Sequence, residues 1–202
     1  MIELNLEQVR VLGCLLEKER TVPDSYPMTL NGLVTACNQS SNRSPVVSYD
    51  AATVQRAVDD LKEAGLVRFV HPSHGERTTK FRQVIDEHLA LLPTEAAVLS
   101  VLFVRGPQTV AEIRTRTERL HAFDSADEVE AALRGLAGRE QPLARPLDRR
   151  WTHTFEQAEV TAAAASSSAG ASRSALEERV AALEARVEHL YSLLGESAPP
   201  TL

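Results

Sequence analysis

Residues 53–61, TVQRAVDDL, and residues 128–136, EVEAALRGL, are two versions of one amphipathic helix. In the first, Val54, Ala57, Val58 and Leu61 share a face; in the second, Val129, Ala132, Leu133 and Leu136 do the same. Asp50 and Ser125 stand where side-chain caps belong, and Asp127 and Glu128 suit the first turn of the second version. Working outward, each helix comes after a shorter helical stretch, TLNGLV at 29–34 and TVAEIR at 109–114. Before those come the apolar stretches RVLGCLLEKE at 10–19 and AVLSVLFVRG at 97–106. After each version a strand, a turn and a second strand are expected. Helix, helix, helix and hairpin is the order of a winged helix. Its repetition predicts an α+β fold, mainly α with small β-hairpins, made of tandem winged-helix domains.

The boundaries come from local chemistry. The first helix is expected from about Leu6 to Glu19, with Val9, Leu12, Leu15 and Leu16 as its apolar stripe. Pro23 and Pro27 keep the chain beyond it from continuing as helix. Thr29 caps a second helix reaching Cys37, and NQSSNRSPVVSYD (38–50) reads as a loop. Gly65 stops the third helix. LVRFV (66–70), HPSHGER (71–77) and TTKFRQV (78–84) read as strand, turn and strand. The second domain opens at Pro93 with Thr94 as its cap, buries Ala97, Val98, Val101 and Leu102, and ends its first helix at Gly106–Pro107. Thr109 starts the next helix. The closing hairpin is LARPL (143–147), a turn at 148–150 and WTHTF (151–155), with Trp151, His153 and Phe155 on one face. The domains are therefore expected at 1–92 and 93–157. Domains this small gain from packing together.

Residues 158–172, mostly Ala and Ser, read as a linker, and 196–202 as a disordered tail. Between them, over 173–195, Leu176, Val180, Leu183, Val187, Leu190 and Leu194 alternate in steps of four and three. Valine at a and leucine at d favour a parallel two-stranded coil of about 35 Å, hence a homodimer. Arg179 at g and Glu184 at e suit that pairing. A single amphipathic helix packing on its own chain satisfies the same pattern.

Apolar residues make up 43% of the 202 and charged residues 25%, values of an ordinary globular protein. The net charge is −6, shared evenly between the part up to residue 157 and the remainder. That excludes a globally basic, avid nucleic-acid binder. The N-terminus MIELNLEQVR lacks the apolar core of a secretory leader, and VLSVLFV (98–104) is too short to span a bilayer. Two cysteines, Cys14 and Cys37, fall on helical stripes and read as small buried residues of a cytoplasmic protein.

YPMTLNGLVTACNQSSNRSPVVSYD (26–50) and RGPQTVAEIRTRTERLHAFDSADEVEAAL (105–133) together resemble the YceH family of bacterial proteins. The resemblance runs from about residue 5 to the heptads and leaves the Ala/Ser linker as a peculiarity of this chain. It implies two winged-helix domains, often with a heptad helix after them. It implies DNA binding only by way of the fold.

A winged helix places its third helix in the major groove and its wing on phosphate or the minor groove. The outward positions of the first such helix are Ala52, Arg56, Asp59, Asp60 and Glu63, one cation against three anions. A solvated or protein-facing helix fits that composition as well as a DNA reader does. The candidate DNA contacts are Asn42 and Arg43 in the loop, Arg56 on the helix, and Arg77, Lys80 and Arg82 in the wing. Arg114, Arg116, Arg119, Arg149 and Arg150 form a second candidate patch, with Glu112 and Glu118 interleaved. On the second third-helix, Ala131, Gly135 and Gly138 make a strip expected to pack against the other domain or another subunit.

Nucleotide-binding glycine loops and paired CxxC motifs are missing from the sequence, and His71 and His74 lie in a turn whose neighbours offer no cysteine and only Glu76 as a carboxylate. No nucleophile, base and orienting acid assemble, so neither enzyme, cofactor nor metal is expected. The reading is a dimeric cytoplasmic protein that binds double-stranded DNA as a regulator. The rival is a scaffold whose winged helices and coil dock protein partners.

Overall fold

The computed structural model describes residues 2–70 and 78–155. The turn 71–77, with His71, His74 and Arg77, lies outside the described residues. So do the linker, the heptads from Leu176 to Leu194 and the tail.

Helix α1 spans Leu6–Thr21. Asn5 accepts from the Gln8 amide while the Gln8 side chain accepts from the Asn5 amide, a reciprocal cap that fixes the start. A short strand β1, Met28–Thr29, leads directly into α2, Leu30–Cys37, and the Thr29 hydroxyl caps that helix at the Gly32 amide. Asp50 caps α3, Ala51–Glu63, through the Thr53 amide at 2.7 Å. The four expected positions Val54, Ala57, Val58 and Leu61 are its buried ones. Gly65, at φ +73°, closes α3: its amide reaches the Lys62 carbonyl and the Leu66 amide reaches the Leu61 carbonyl.

Strands β2, Val67–Val70, and β3, Lys80–Gln83, pair antiparallel, with Phe69 opposite Phe81. β1 adds to the free edge of β3, Met28 opposite Phe81, giving the order β1-β3-β2. A one-turn helix α4, Ile85–Leu89, then leads to α5, Pro93–Arg105.

Thr94 is not the cap of α5. Leu92 holds the cap position, Pro93 occupies the first turn where no amide is needed, and the Glu95 carboxylate accepts from the Leu92 amide at 3.0 Å. Every residue from Glu95 to Val104 is buried, so the expected one-sided stripe is in fact a helix covered all round.

Helices α6, Val110–Thr117, and α7, Ala126–Ala137, are capped by Thr109 and Ser125. β4, Ala144–Leu147, and β5, Arg150–His153, form the second hairpin, with Leu147 opposite Arg150. The second half also has an added edge: the Gln108 and Trp151 backbones exchange two hydrogen bonds just before α6, as Met28 pairs just before α2.

The two first helices pack on each other. A Cβ on Gly13 of α1 would stand 2.6 Å from the Phe103 Cβ and 2.9 Å from the Val104 Cγ1 of α5. Only glycine permits that crossing. Around it one apolar cluster extends from Leu4 through Leu61 and Leu99 to Leu133 and Phe155, and residues 1–157 form one compact unit. The result is an α+β architecture with small antiparallel sheets at its periphery.

Candidate functional site

The polar groups singled out in the sequence separate into three settings: a buried ion pair, an exposed hairpin, and a cleft between the halves.

Arg43 belongs to the first. Its guanidinium is fully covered, forks onto the Glu17 carboxylate at 2.6 and 3.1 Å, and donates to the Ala36 carbonyl at 3.0 Å. Burial alone would lower its pKa, but the Glu17 bonds raise it; Glu17 is held below the usual carboxylate range by the same pair, against its own burial. A side chain committed this way inside the fold is a brace, and the expectation that Arg43 faces a phosphate is corrected on that ground. Beside it, Arg10 donates to the Pro45 carbonyl at 2.7 Å, so two buried arginines tie the 38–50 loop to α1. Cys14 and Cys37 are buried in the same core as free thiols.

Arg56 is exposed on α3 and reaches Thr53, with Asp59, Asp60 and Glu63 exposed around it. Arg82 lies opposite Arg68 across the sheet, a like-charge pairing that Glu87 of α4 relieves at 3.1 Å and 3.9 Å. Lys80 is half-buried at the centre of the three-stranded sheet, paired with Thr29 and Val70. Among the described residues, the outer surface of the first half presents several exposed acids beside cations such as Arg82 and Arg68 that Glu87 already engages.

The second candidate patch divides. Arg114 donates to the Phe123 and Asp124 carbonyls and braces the loop before α7. Arg149 and Arg150 are exposed on the second hairpin, and Arg145, which the sequence pattern did not single out, is exposed beside them. In the β4–β5 register Arg145, Leu147 and Arg150 share one face, opposite to Ala144 and His153, which are buried. Among the described residues none of the three arginines makes a salt bridge, and Asp148 is the hairpin's one acid. His153 packs edge-on against Phe103, and burial with Arg145 nearby lowers its pKa to about 4. The Ala131, Gly135 and Gly138 strip does not pack against the first half: all three are exposed, and the near neighbour of Gly135 is Glu95 of α5, 2.7 Å from where a Cβ would stand.

Arg116 and Arg119 turn into the third setting. A cleft of about 450 Å³ lies between the end of α1, the 38–50 loop, α5 and α6. Asn42, in the left-handed region at φ +62°, reaches it and accepts from Arg105. The cleft brings a residue from each candidate set into one place. Arg105 and Lys18 join it without a signal of their own in the sequence, because each sits at the end of an apolar helix and reads as a dipole-compensating terminus. Among the described residues no group of acids, histidines and cysteines is arranged to hold a metal, and no helix is long and apolar enough to cross a membrane.

Comparison with other proteins places this arrangement in a family. A UPF0502 protein of Pelobacter propionicus is 48% identical over 147 residues, which cover 73% of this chain and 66% of that protein. A UPF0502 protein of Dechloromonas aromatica is 39% identical over 206 residues, 96% of this chain and 95% of its own length. One from Geotalea uraniireducens is 44% identical over 197 residues, covering 92% and 89%. Residues 4–153 match the family model described as "Protein of unknown function, DUF480", a span that takes in both halves and all three settings. The chain belongs to the DUF480 family of bacterial UPF0502 proteins.

Proposed function

We propose that the chain is a tandem winged-helix protein of the YceH kind that binds double-stranded DNA as a cytoplasmic regulator, acting by binding and not by catalysis. The observation that carries this reading is the second hairpin. Arg145, Arg149 and Arg150 are exposed on ten residues that come after three helices in winged-helix order, and no carboxylate among the described residues neutralises them by a salt bridge. Phosphate contacts of that kind position a protein on a duplex. The preference thus shifts from the first wing to the second, since Arg82 is held by Glu87 and Arg43 is buried. The heptads at 173–195 would pair two chains and present two such hairpins to half-sites.

The test is duplex binding by fluorescence anisotropy at several salt concentrations. Arg149→Ala with Arg150→Ala is expected to weaken binding at least tenfold and to reduce the slope of log K against log salt by about 2. A wild-type chain with no salt-dependent affinity for any duplex sinks this reading. A second reading, a protein-docking scaffold, is favoured by the exposed Asp59, Asp60 and Glu63 on α3. Partners retained after nuclease treatment and lost with Asp59→Lys would then take its place.

A further inference from the structure

The cleft between the halves has a wall of unusual charge for a chain of net charge −6. Four cations line it: Lys18 from α1, Arg105 from α5, and Arg116 and Arg119 from α6 and its end. Two carboxylates, Glu17 and Glu118, line it too. Glu17 is already engaged from behind by the buried Arg43, and Lys18 also sits 3.2 Å from it. Arg116 leans on Glu112 at 3.4 Å. That leaves Arg105 and Arg119 against Glu118. Arg105 bonds to a neutral amide, that of Asn42, and among the described residues Arg119 has no ion-pair partner. Burial, then Arg116 and Arg43, lower the Arg105 pKa, with Glu17 and Glu112 opposing them in part. Cations that outnumber the carboxylates around one cleft are stabilised by an anion that accepts from them.

The shape supports a small ligand. A volume of about 450 Å³ falls within the roughly 300–1,000 Å³ typical of ligand pockets. Val101, Val104 and Leu120 give it an apolar floor, while Gln39, Asn42 and Thr115 add polar groups at the rim. Such a floor with a cationic wall suits a molecule with a short carbon skeleton and more than one oxyanion.

We propose that this cleft binds a small organic polyanion bearing phosphate or carboxylate groups, recognised by Arg105 and Arg119. A ligand there touches α1 and the 38–50 loop on one side and α5 and α6 on the other. Its occupancy clamps the junction of the two halves, which is where an effector has leverage over any surface that both halves present. The assignment does not depend on DNA binding.

The experiment is titration calorimetry of the full chain with inorganic pyrophosphate and, separately, citrate at low salt. Saturable binding of either is expected, and whichever binds more tightly names phosphate or carboxylate as the source. Arg105→Gln and Arg119→Gln are each expected to weaken it at least tenfold, the size of one lost charge-assisted bond. Arg119 is exposed, so its variant keeps the fold even where removal of Arg105 disturbs the Asn42 loop. Arg149→Gln on the hairpin is expected to leave anion binding unchanged. No binding of either probe, or wild-type affinity in Arg119→Gln, overturns the proposal. So does displacement of the anion by duplex DNA with joint loss of both in Arg119→Gln, since the cleft would then be part of a nucleic-acid surface. Anion binding in a chain that binds no duplex leaves this inference standing and removes the DNA reading alone.

Discussion

His153 carries a pH dependence whose sign is set by its burial. The ring lies between Phe103 and Phe155 and its pKa is lowered to about 4, so it stays neutral in the fold while the unfolded chain protonates near pH 6.5. Between those values the unfolded state binds more protons. Stability contributed by the neutral ring is therefore complete above pH 6.5 and is lost as pH falls toward 4. A shift of this size corresponds to about 3 kcal/mol over the window. Urea unfolding at several pH values is expected to show that loss in the wild type and a smaller one in His153→Phe; equal slopes would refute the assignment. Alternation groups His153 with Trp151 and Phe155 on one face of the hairpin, and the structure turns His153 and Phe155 inward. Alternation could not do the same for Arg43. It sits in a Ser- and Asn-rich loop, where charge reads as exposure, and its partner Glu17 is on a helix twenty-six positions earlier. Only the tertiary fold brings a loop guanidinium under that carboxylate.

At the scale of elements, the crossing of α1 and α5 is the tightest joint. Gly13→Ala adds a Cβ 2.6 Å from the Phe103 Cβ, an atom fixed to its backbone and unable to swing away. The helices must separate, which costs about 1–3 kcal/mol by overpacking. Alanine's better helix propensity returns about 1 kcal/mol. A net loss of stability is expected, read as a lower urea midpoint; an unchanged or raised midpoint would show that the joint has slack. Helix starts were legible because Thr29, Asp50, Thr109 and Ser125 are capping residues just before apolar runs. The cap of α5 lies two residues before the expected Thr94 because Pro93 and Glu95 set the start there without a capping side chain at Leu92. The two edge pairings, Met28 with Phe81 and Gln108 with Trp151, escaped notice because one or two residues carry no periodicity. The cleft was half legible. Asn42, Arg116 and Arg119 stood out for their chemistry, but assigning them to separate surfaces missed that the packing of α1 on α5 brings loop and helix face to face.

For the molecule as a whole, a repeated unit suggests two domains that fold alone, yet the shared joint argues for joint folding of these halves. In a piece ending at residue 92, the Gly13 face of α1 would meet water in place of α5. In a piece covering 93–157 the loss is larger, since ten consecutive residues of α5 are buried on all sides. Burial contributes roughly 1.5–3 kcal/mol for each large apolar side chain, and small domains have little stability in reserve. The Ser44 amide, which donates to the Val104 carbonyl, and Arg105, which donates to the Asn42 side chain, add polar ties across the same joint. We therefore expect residues 1–157 to unfold in one cooperative urea transition with coincident fluorescence and circular dichroism curves. Residues 1–92 and 93–157, made separately, should be unfolded or aggregated, and should regain helical signal when refolded together. A cooperative transition in either piece alone would show instead that each half carries its own sufficient core and that the α1–α5 joint is an ordinary domain interface.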